Sequence, residues 1–185
     1  MKKNKFLFCA LIAVCAILMP SCKSSKSVIP QATNTINSVS LQELNLERKD
    51  YIVLNTISAE ATIIAKFTSD KVKVDDPDGG FSLTWKKVAF GKDEYGWTPD
   101  KIDGVVRLGY LSNDYQNELF NIGPYPHWIV RRLAIYRLIN AAKVAGGDGV
   151  IEPIISTNVE GKGKKEIVYK TTVSAKLVKI KPDGK

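Results

Sequence analysis

Cysteine is missing from the chain after residue 22, and histidine occurs only once. The three cysteines are Cys9, Cys15 and Cys22, and the single histidine is His127. Metal sites and nucleophilic catalysis draw heavily on these two residue types. Their scarcity argues against a metal site and against a cysteine nucleophile in the rest of the chain. We therefore expect no metal, no cofactor and no catalytic residue, and a protein that is not an enzyme.

Acidic residues are also in short supply, since 27 Lys and Arg face 19 Asp and Glu, for a formal net charge of +8 at pH 7. Three of the lysines fall within the first five residues. The remaining bias is mild and does not predict a nucleic-acid partner.

The segment from Leu119 to Gly147 contains no Asp or Glu, yet it carries Arg131, Arg132 and Arg137. Arginines near the start of a helix oppose its macrodipole, so a negative partner is expected. Carboxylates from loops of the same chain are the favoured partners, and a phosphate or lipid head group is the alternative. Arg131 and Arg132 are therefore candidate ligand contacts.

The N-terminus has the composition of an export signal. Lys2, Lys3 and Lys5 precede an uncharged run of 13 residues from Phe6 to Leu18. A helix that crosses a bilayer needs about 20 apolar residues, so this run predicts a secretory signal and not a membrane span.

The run ends in Leu18-Met19-Pro20-Ser21-Cys22, which resembles the lipobox of bacterial lipoproteins. The resemblance implies cleavage before Cys22, a diacylglyceryl thioether on its sulfur, and N-acylation of the new terminus. Three acyl chains would attach the protein to a membrane durably, whereas one chain holds weakly. The residue after the predicted anchor is Lys23, and not an acidic residue of the kind that retains many lipoproteins at the inner membrane. We therefore expect an outer-membrane position facing the periplasm, with the cell surface as an alternative. An uncleaved or differently cleaved signal is the competing interpretation.

Composition divides the chain into three parts. Residues 1–21 form the predicted signal peptide. Residues 22–40 are rich in Ser, Lys, Thr, Asn and Gln and bury too little apolar surface to fold, so they predict a flexible tether. Residues 41–185 form a single predicted domain.

Five segments rich in β-branched or alternating apolar residues predict strands. They are Tyr51–Phe67, Phe81–Phe90, Gly104–Leu111, Val150–Val159 and Ile167–Ile180. The first is either one long strand or two strands joined by a bend. The last alternates strictly, which predicts one packed and one solvated face of a sheet.

One helix is predicted over about 127–145, after Pro124 and Pro126 and before Gly146. Its apolar residues occupy two faces, so we expect it to pack on a sheet and also to be roofed by the Tyr110–Tyr125 segment. The expected class is α+β: an antiparallel-rich twisted sheet with this main helix on one face and a hairpin of two strands at the C-terminus.

The stretch 142–154, Ala-Lys-Val-Ala-Gly-Gly-Asp-Gly-Val-Ile-Glu-Pro-Ile, leads into that hairpin, and the closing strand ends with Thr-Thr-Val-Ser-Ala-Lys-Leu-Val at 171–178. This pattern resembles YbjQ-type domains, the stress-sensing outer-membrane lipoprotein of the Rcs phosphorelay, and lipoproteins of gut-type bacteria. The resemblance implies a strand, helix, strand, strand order and a binding, structural or sensing role in the cell envelope.

Six Tyr and Trp residues are crowded into 34 positions, and they are Tyr95, Trp97, Tyr110, Tyr115, Tyr125 and Trp128. Burial over the helix is the favoured explanation. Tyr95 and Trp97, however, lie in the predicted polar loop 91–100, where exposed rings could stack on sugars or seat a protein. They are therefore further candidate ligand contacts.

Three functions compete on these grounds. The first is a lipoprotein anchored through Cys22 that binds an envelope protein or other envelope component. The second is a glycan-binding accessory module that uses Tyr95 and Trp97. The third is a hydrolase that uses a pair of loop carboxylates, and the candidate pairs are Asp93 with Asp100 and Glu94 with Asp103.

Overall fold

The computed structural model describes residues 31–35, 47–111 and 123–182, and residues 31–35 by their backbone alone. Strand makes up 59% of the structure and helix 18%. The α+β expectation is therefore wrong, because the fold is a mostly antiparallel sheet that carries one long helix. The strands are longer than expected, and residues 95–100, predicted as part of a loop, belong to a strand. Gly96, Pro99 and Asp100 suggested a loop, but pairing with the preceding strand overrides that local preference.

Eight strands and one α-helix make up the fold in the part of the chain that the structure describes. In chain order they are β1 (Gln31–Thr35), a 3-10 turn (Arg48–Asp50), β2 (Tyr51–Phe67), β3 (Lys71–Asp75), β4 (Phe81–Ala89), β5 (Tyr95–Gly104), β6 (Val106–Tyr110), α1 (Pro126–Val144), β7 (Gly149–Gly161) and β8 (Glu166–Ile180).

Six of the strands form one antiparallel sheet in the order β5-β4-β3-β2-β8-β7. The first and last strands of this sheet in chain order, β2 and β8, pair along nearly their whole length, from Tyr51 opposite Ile180 to Lys66 opposite Glu166. Strand β1 pairs in parallel with β6 in a separate two-stranded sheet. It lies inside the 22–40 stretch that composition assigns to a tether, so the sequence did not predict this strand.

Helix α1 lies between the two sheets. It packs against β2 and β8 on one side and against β6 on the other. Its buried residues, which include Ile129, Ala134, Leu138 and Ile139, surround nearly its whole circumference, as expected for a helix covered on both sides. The roof over the helix is therefore strand β6. Of the predicted roof, residues 112–122 lie outside the described residues.

Glycines set the two sharp changes of chain direction around this core. Helix α1 ends at Val144, and Gly146, whose φ of +73° is left-handed, closes its last turn. Strand β5 ends at Gly104, which has a φ of +82° and whose absent Cβ would lie 2.2 Å from the carbonyl oxygen of Gly80. Only glycine fits both requirements there, and this lets the chain leave the large sheet for β6.

The large sheet has one packed and one solvated face, as the alternation in β8 predicts. Alternate residues of β2 and β8 face the helix and are buried, among them Ile63, Val173 and Leu177. Their neighbours point to solvent and form ion pairs, including Lys170 with Glu60 at 2.8 Å.

The predicted signal peptide, the predicted attachment point Cys22 and most of the predicted tether lie outside the described residues. Among the helices that are described, none combines the length and the apolarity required to cross a membrane.

Candidate functional site

The β4–β5 hairpin extends past its neighbour in the sheet. Strand β3 begins at Lys71, which pairs with Lys86 of β4. Residues 88–96 therefore reach beyond the end of β3, and Phe90 N–H closes the hairpin by donating to Glu94 O at 2.8 Å. We call residues 87–97 the hairpin tip.

Three large aromatic side chains are exposed on the hairpin tip. The exposed fraction is 69% for Phe90, 60% for Tyr95 and 38% for Trp97. A buried ring such as Trp85, in the same strand pair, is 1% exposed. The domain therefore contains an ordinary aromatic core and, next to it, rings that the core does not cover.

The rings lie on both faces of the hairpin tip. Tyr95 and Trp97 are two residues apart on β5 and so share a face, while Gly96 between them faces the opposite way. The ring of Phe90 lies over Gly96, since a Cβ there would be 2.5 Å from Phe90 Cε2. The hairpin tip is therefore a wedge with Tyr95 and Trp97 on one side and Phe90 on the other.

A cation completes one side of this wedge. Lys87 is paired with Trp97 across the two strands, and its Nζ lies 4.5 Å from the centre of the Tyr95 ring. Such a cation–π contact orients the ring while leaving most of its surface open. The turn itself carries Lys92, Asp93 and Glu94, all exposed.

The two predicted arginine contacts lie elsewhere, at the start of α1. The guanidinium carbon of Arg131 lies 5.8 Å from the Trp128 ring, and that of Arg132 lies 5.9 Å from the same ring and 4.9 Å from the Tyr110 ring. Arg132 is only 7% exposed. The structure thus brings Arg131 and Arg132 together around Trp128, and Arg132 presents little surface to a ligand.

Arg137, five residues after Arg132 in the same helix, has the loop carboxylates that the sequence predicts for this basic helix. Its guanidinium donates to Asp78 Oδ2 at 2.9 Å and lies 3.4 Å from Asp76 Oδ1, in the turn between β3 and β4. Desolvation raises the pKa of the Asp76 carboxyl, and the negative charge of Asp78 adds to this. The backbone N–H of Asp78, which donates to Asp76 Oδ1, and the charges of Arg137 and Arg107 act in the opposite direction. The cluster ties the turn to the helix.

Two of the four carboxylates of the hydrolase hypothesis, Asp100 and Asp103, are paired with lysines. Asp100 lies 3.3 Å from Lys86 Nζ and 3.4 Å from Lys71 Nζ, and these lysines hold its pKa below the ordinary value. Asp103 pairs with Lys101 at 2.9 Å. A general acid in glycoside hydrolysis requires a raised pKa, which is the opposite of what Asp100 has.

The lysines near the C-terminus are mostly neutralised on the sheet. Lys170, Lys176 and Lys179 pair with Glu60, Glu152 and Asp148 at 2.8, 2.6 and 2.9 Å. Only the β7–β8 turn, with Lys162, Lys164 and Lys165, keeps a local excess of positive charge in the described part of this hairpin. This arrangement fits a solvated strand face better than an anion site.

Sequence reasoning identified Tyr95 and Trp97 but missed Phe90 and Lys87. Lys87 belongs to β4 and Phe90 directly follows that strand, so both reach the site only through the pairing of the hairpin, which spacing along the chain does not indicate. The one local signal was the sequence Phe90-Gly91, an aromatic residue placed directly before a turn. No family model, no curated protein and no solved structure matches this chain.

Proposed function

We propose that this protein is a lipoprotein of the bacterial outer membrane, anchored through Cys22 and facing the periplasm, whose folded part is a non-enzymatic binding module. Its hairpin tip docks into a concave surface of an envelope protein. The signal-like N-terminus with its lipobox resemblance supports the anchor. The exposed rings of the hairpin tip support the docking surface.

The observation that carries the docking proposal is the exposure of Phe90, Tyr95 and Trp97 on both faces of a projecting hairpin. Tyr and Trp are the residues most enriched at the energetic centres of protein interfaces. They contribute large apolar contact areas at a low cost in side-chain entropy because each has only two rotatable bonds.

The wedge shape favours a protein groove over the other two surfaces that aromatic rings bind. A sugar platform needs rings that face one way, whereas Phe90 lies opposite Tyr95 and Trp97. Insertion into a bilayer would bury the charges of Lys92, Asp93 and Glu94 at the turn, at a cost of several kcal/mol each. A groove in a protein covers both faces and leaves the turn in water.

The anchor is tested by replacing Cys22 with serine in cells grown with a radiolabelled fatty acid. The native chain should incorporate label and sediment with membranes, and Cys22→Ser should do neither. Cys9→Ser and Cys15→Ser are the controls and should label normally, because both residues would leave with the signal. Labelling that survives Cys22→Ser would overturn the anchor.

The docking surface is tested with a photoreactive phenylalanine analogue placed at position 90 or at position 125. Tyr125 is 56% exposed and thus matches the hairpin rings in exposure, but it belongs to a different element, as the N-cap residue of α1. Position 90 should give one discrete protein adduct in the envelope, and Trp97→Ala should remove it. Adducts that form equally from both positions, or that survive Trp97→Ala, would contradict the proposal.

Glycan binding is the second candidate, and the shared face of Tyr95 and Trp97 favours it. The two rings lie two residues apart on an edge strand, which spaces them by about 7 Å. The probe is a soluble peptidoglycan fragment titrated against intrinsic fluorescence. A saturable change that Trp97→Phe abolishes while Trp128→Phe preserves would support this function, and no change in the native protein would exclude it for that ligand.

A further inference from the structure

Strand β7 leaves one edge of the large sheet open. Among the described residues it pairs only with β8. Lys162 N–H donates to Glu166 O at 2.8 Å, so the even-numbered residues of β7 direct their backbone groups toward β8. The odd-numbered residues direct theirs away from the sheet, and these are Ile155, Thr157, Val159 and Gly161.

The opposite edge of the sheet is blocked in the ways that natural proteins use against strand addition. Strand β5 carries Pro99, which has no N–H, a register irregularity opposite Thr84 and Trp85, and the charged pair Lys101 and Asp103. Both edges are solvated, but only β5 has these features along its middle.

Strand β7 lacks such protection from residue 154 to residue 159. This stretch, Ile-Ile-Ser-Thr-Asn-Val, has no charge and no proline. Ile154 is 69% exposed and Val159 53% exposed. The irregularity between Ile151 and Ile154 and the proline at position 153 lie just before the stretch and limit regular pairing to the residues that follow.

We propose that the open edge of β7 is a self-association surface, which takes the same edge of a second copy of this chain in antiparallel register with Asn158 opposite Asn158. Position 158 is the midpoint of residues 155–161, so this register keeps every pair within the regular part of the strand. A register centred on Thr157 would draw Pro153 into a hydrogen-bonding position that it cannot fill.

The register is also complementary in its side chains. Ile155 faces Gly161, Thr157 faces Val159, and Ser156 faces Glu160, so no like charges meet. The four outward-facing pairs would exchange about eight backbone hydrogen bonds.

The proposed register relates the two copies symmetrically, because every pair is repeated with the copies exchanged. A two-fold axis through Asn158 gives both copies identical contacts and closes the assembly as a dimer.

Disulfide trapping tests the proposal, because the chain has no cysteine after residue 22. In the full chain with Cys9, Cys15 and Cys22 replaced by serine, Asn158→Cys places two thiols opposite each other. Position 158 is a non-hydrogen-bonded pair in this register, with a Cα separation of about 4.5 Å, which lies within disulfide range. We expect a covalent dimer on mild oxidation.

Ser156→Cys is the matched control, because it lies on the same face of the same strand. Its two copies would be about 14 Å apart, so it should give roughly tenfold less dimer than Asn158→Cys. The double variant Ser156→Cys with Glu160→Cys should again cross-link, since these positions face each other. Equal yields of dimer from Asn158→Cys and Ser156→Cys, or no cross-link in the double variant, would overturn the proposal. Urea unfolding of each variant, unchanged from that of the cysteine-free parent, verifies that the variant is folded.

Discussion

Gly109 fixes how closely β6 approaches α1. A Cβ at this position would lie 2.2 Å from Tyr136 N and 2.6 Å from Ile135 C, and these are backbone atoms of the helix that cannot rotate aside. We predict that Gly109→Ala lowers the free energy of unfolding by about 3 kcal/mol, at the upper end of the usual cost of overpacking. Urea unfolding measures it. Gly91→Ala, where the nearest atom is 3.8 Å away, should change stability little.

Arg137 keeps a nearly buried carboxylate paired. The Asp76 side chain is 3% exposed and the Arg137 side chain 29%. Arg137→Ala would leave the charge of Asp76 with one fewer cation, and we predict a loss of about 2 kcal/mol in the free energy of unfolding. Adding Asp76→Asn should recover part of that loss, since the charge that needs a partner is then gone. Equal losses in the single and double variants would contradict this explanation.

Strand β7 contains one residue in an unfavourable backbone conformation. Glu152 has a φ of +52°, beside the irregularity in the β7–β8 pairing, and it is the one non-glycine residue with a positive φ in the described part of the chain. Glycine adopts that conformation without steric cost. We predict that Glu152→Gly raises the free energy of unfolding by about 0.5 kcal/mol. This net gain includes the loss of the exposed ion pair with Lys176, which contributes at most about 1 kcal/mol.

Glu160 provides the matched control for that prediction. It lies in the same strand, is equally charged and exposed, and has regular strand geometry. Glu160→Gly should lower stability by about 0.5–1 kcal/mol, because glycine loses more backbone entropy in a strand. The two changes should therefore have opposite signs in thermal or urea unfolding. A loss of stability in both would show that the positive φ is not strained.

At the level of elements, the sequence predicted what local patterns control. Proline before residue 127 and glycine at 146 bracket the helix that the structure shows as α1. Strict alternation in β8 identifies its packed face. The predicted fold class was wrong because β1 and much of β5 have loop-like compositions and become strands only by pairing, β1 with the distant β6 and β5 with the preceding β4. The hairpin tip was half predicted for the same reason: Tyr95 and Trp97 are visible in the sequence, while Phe90 and Lys87 join them only by pairing.

The whole molecule is a sheet whose two edges differ and whose two faces differ. One face carries the helix and the β1–β6 pair, and the other carries ion pairs in water. The projecting hairpin tip lies at one edge and the unprotected strand β7 at the other. The two proposed surfaces are thus separated by the width of the sheet, so a dimer formed through β7 would leave both hairpin tips available to partners.

The ion pairs of the solvated surface predict how the whole fold responds to acid. Hydrogen bonds from Lys170, Lys86 and Lys179 lower the pKa of Glu60, Asp100 and Asp148. A carboxyl whose pKa is lower in the folded state binds fewer protons in that state than in the unfolded one. Its contribution to stability is therefore present above its ordinary pKa of about 4 and is lost as the pH falls below that value. We therefore expect the urea midpoint to fall steadily between about pH 5 and pH 3.

Two substitutions separate the contributions to this acid response. Asp148→Asn removes one carboxyl with a lowered pKa, so the fall in the urea midpoint should become shallower. Asp76 acts in the opposite sense, because desolvation raises its pKa in the folded state. Its contribution to the free energy of unfolding is therefore present at low pH and is lost as the pH rises above about 4. Asp76→Asn should therefore make the fall steeper, whatever it does to stability at neutral pH. Parallel pH profiles in the native protein and both variants would mean that these carboxylates do not control acid unfolding.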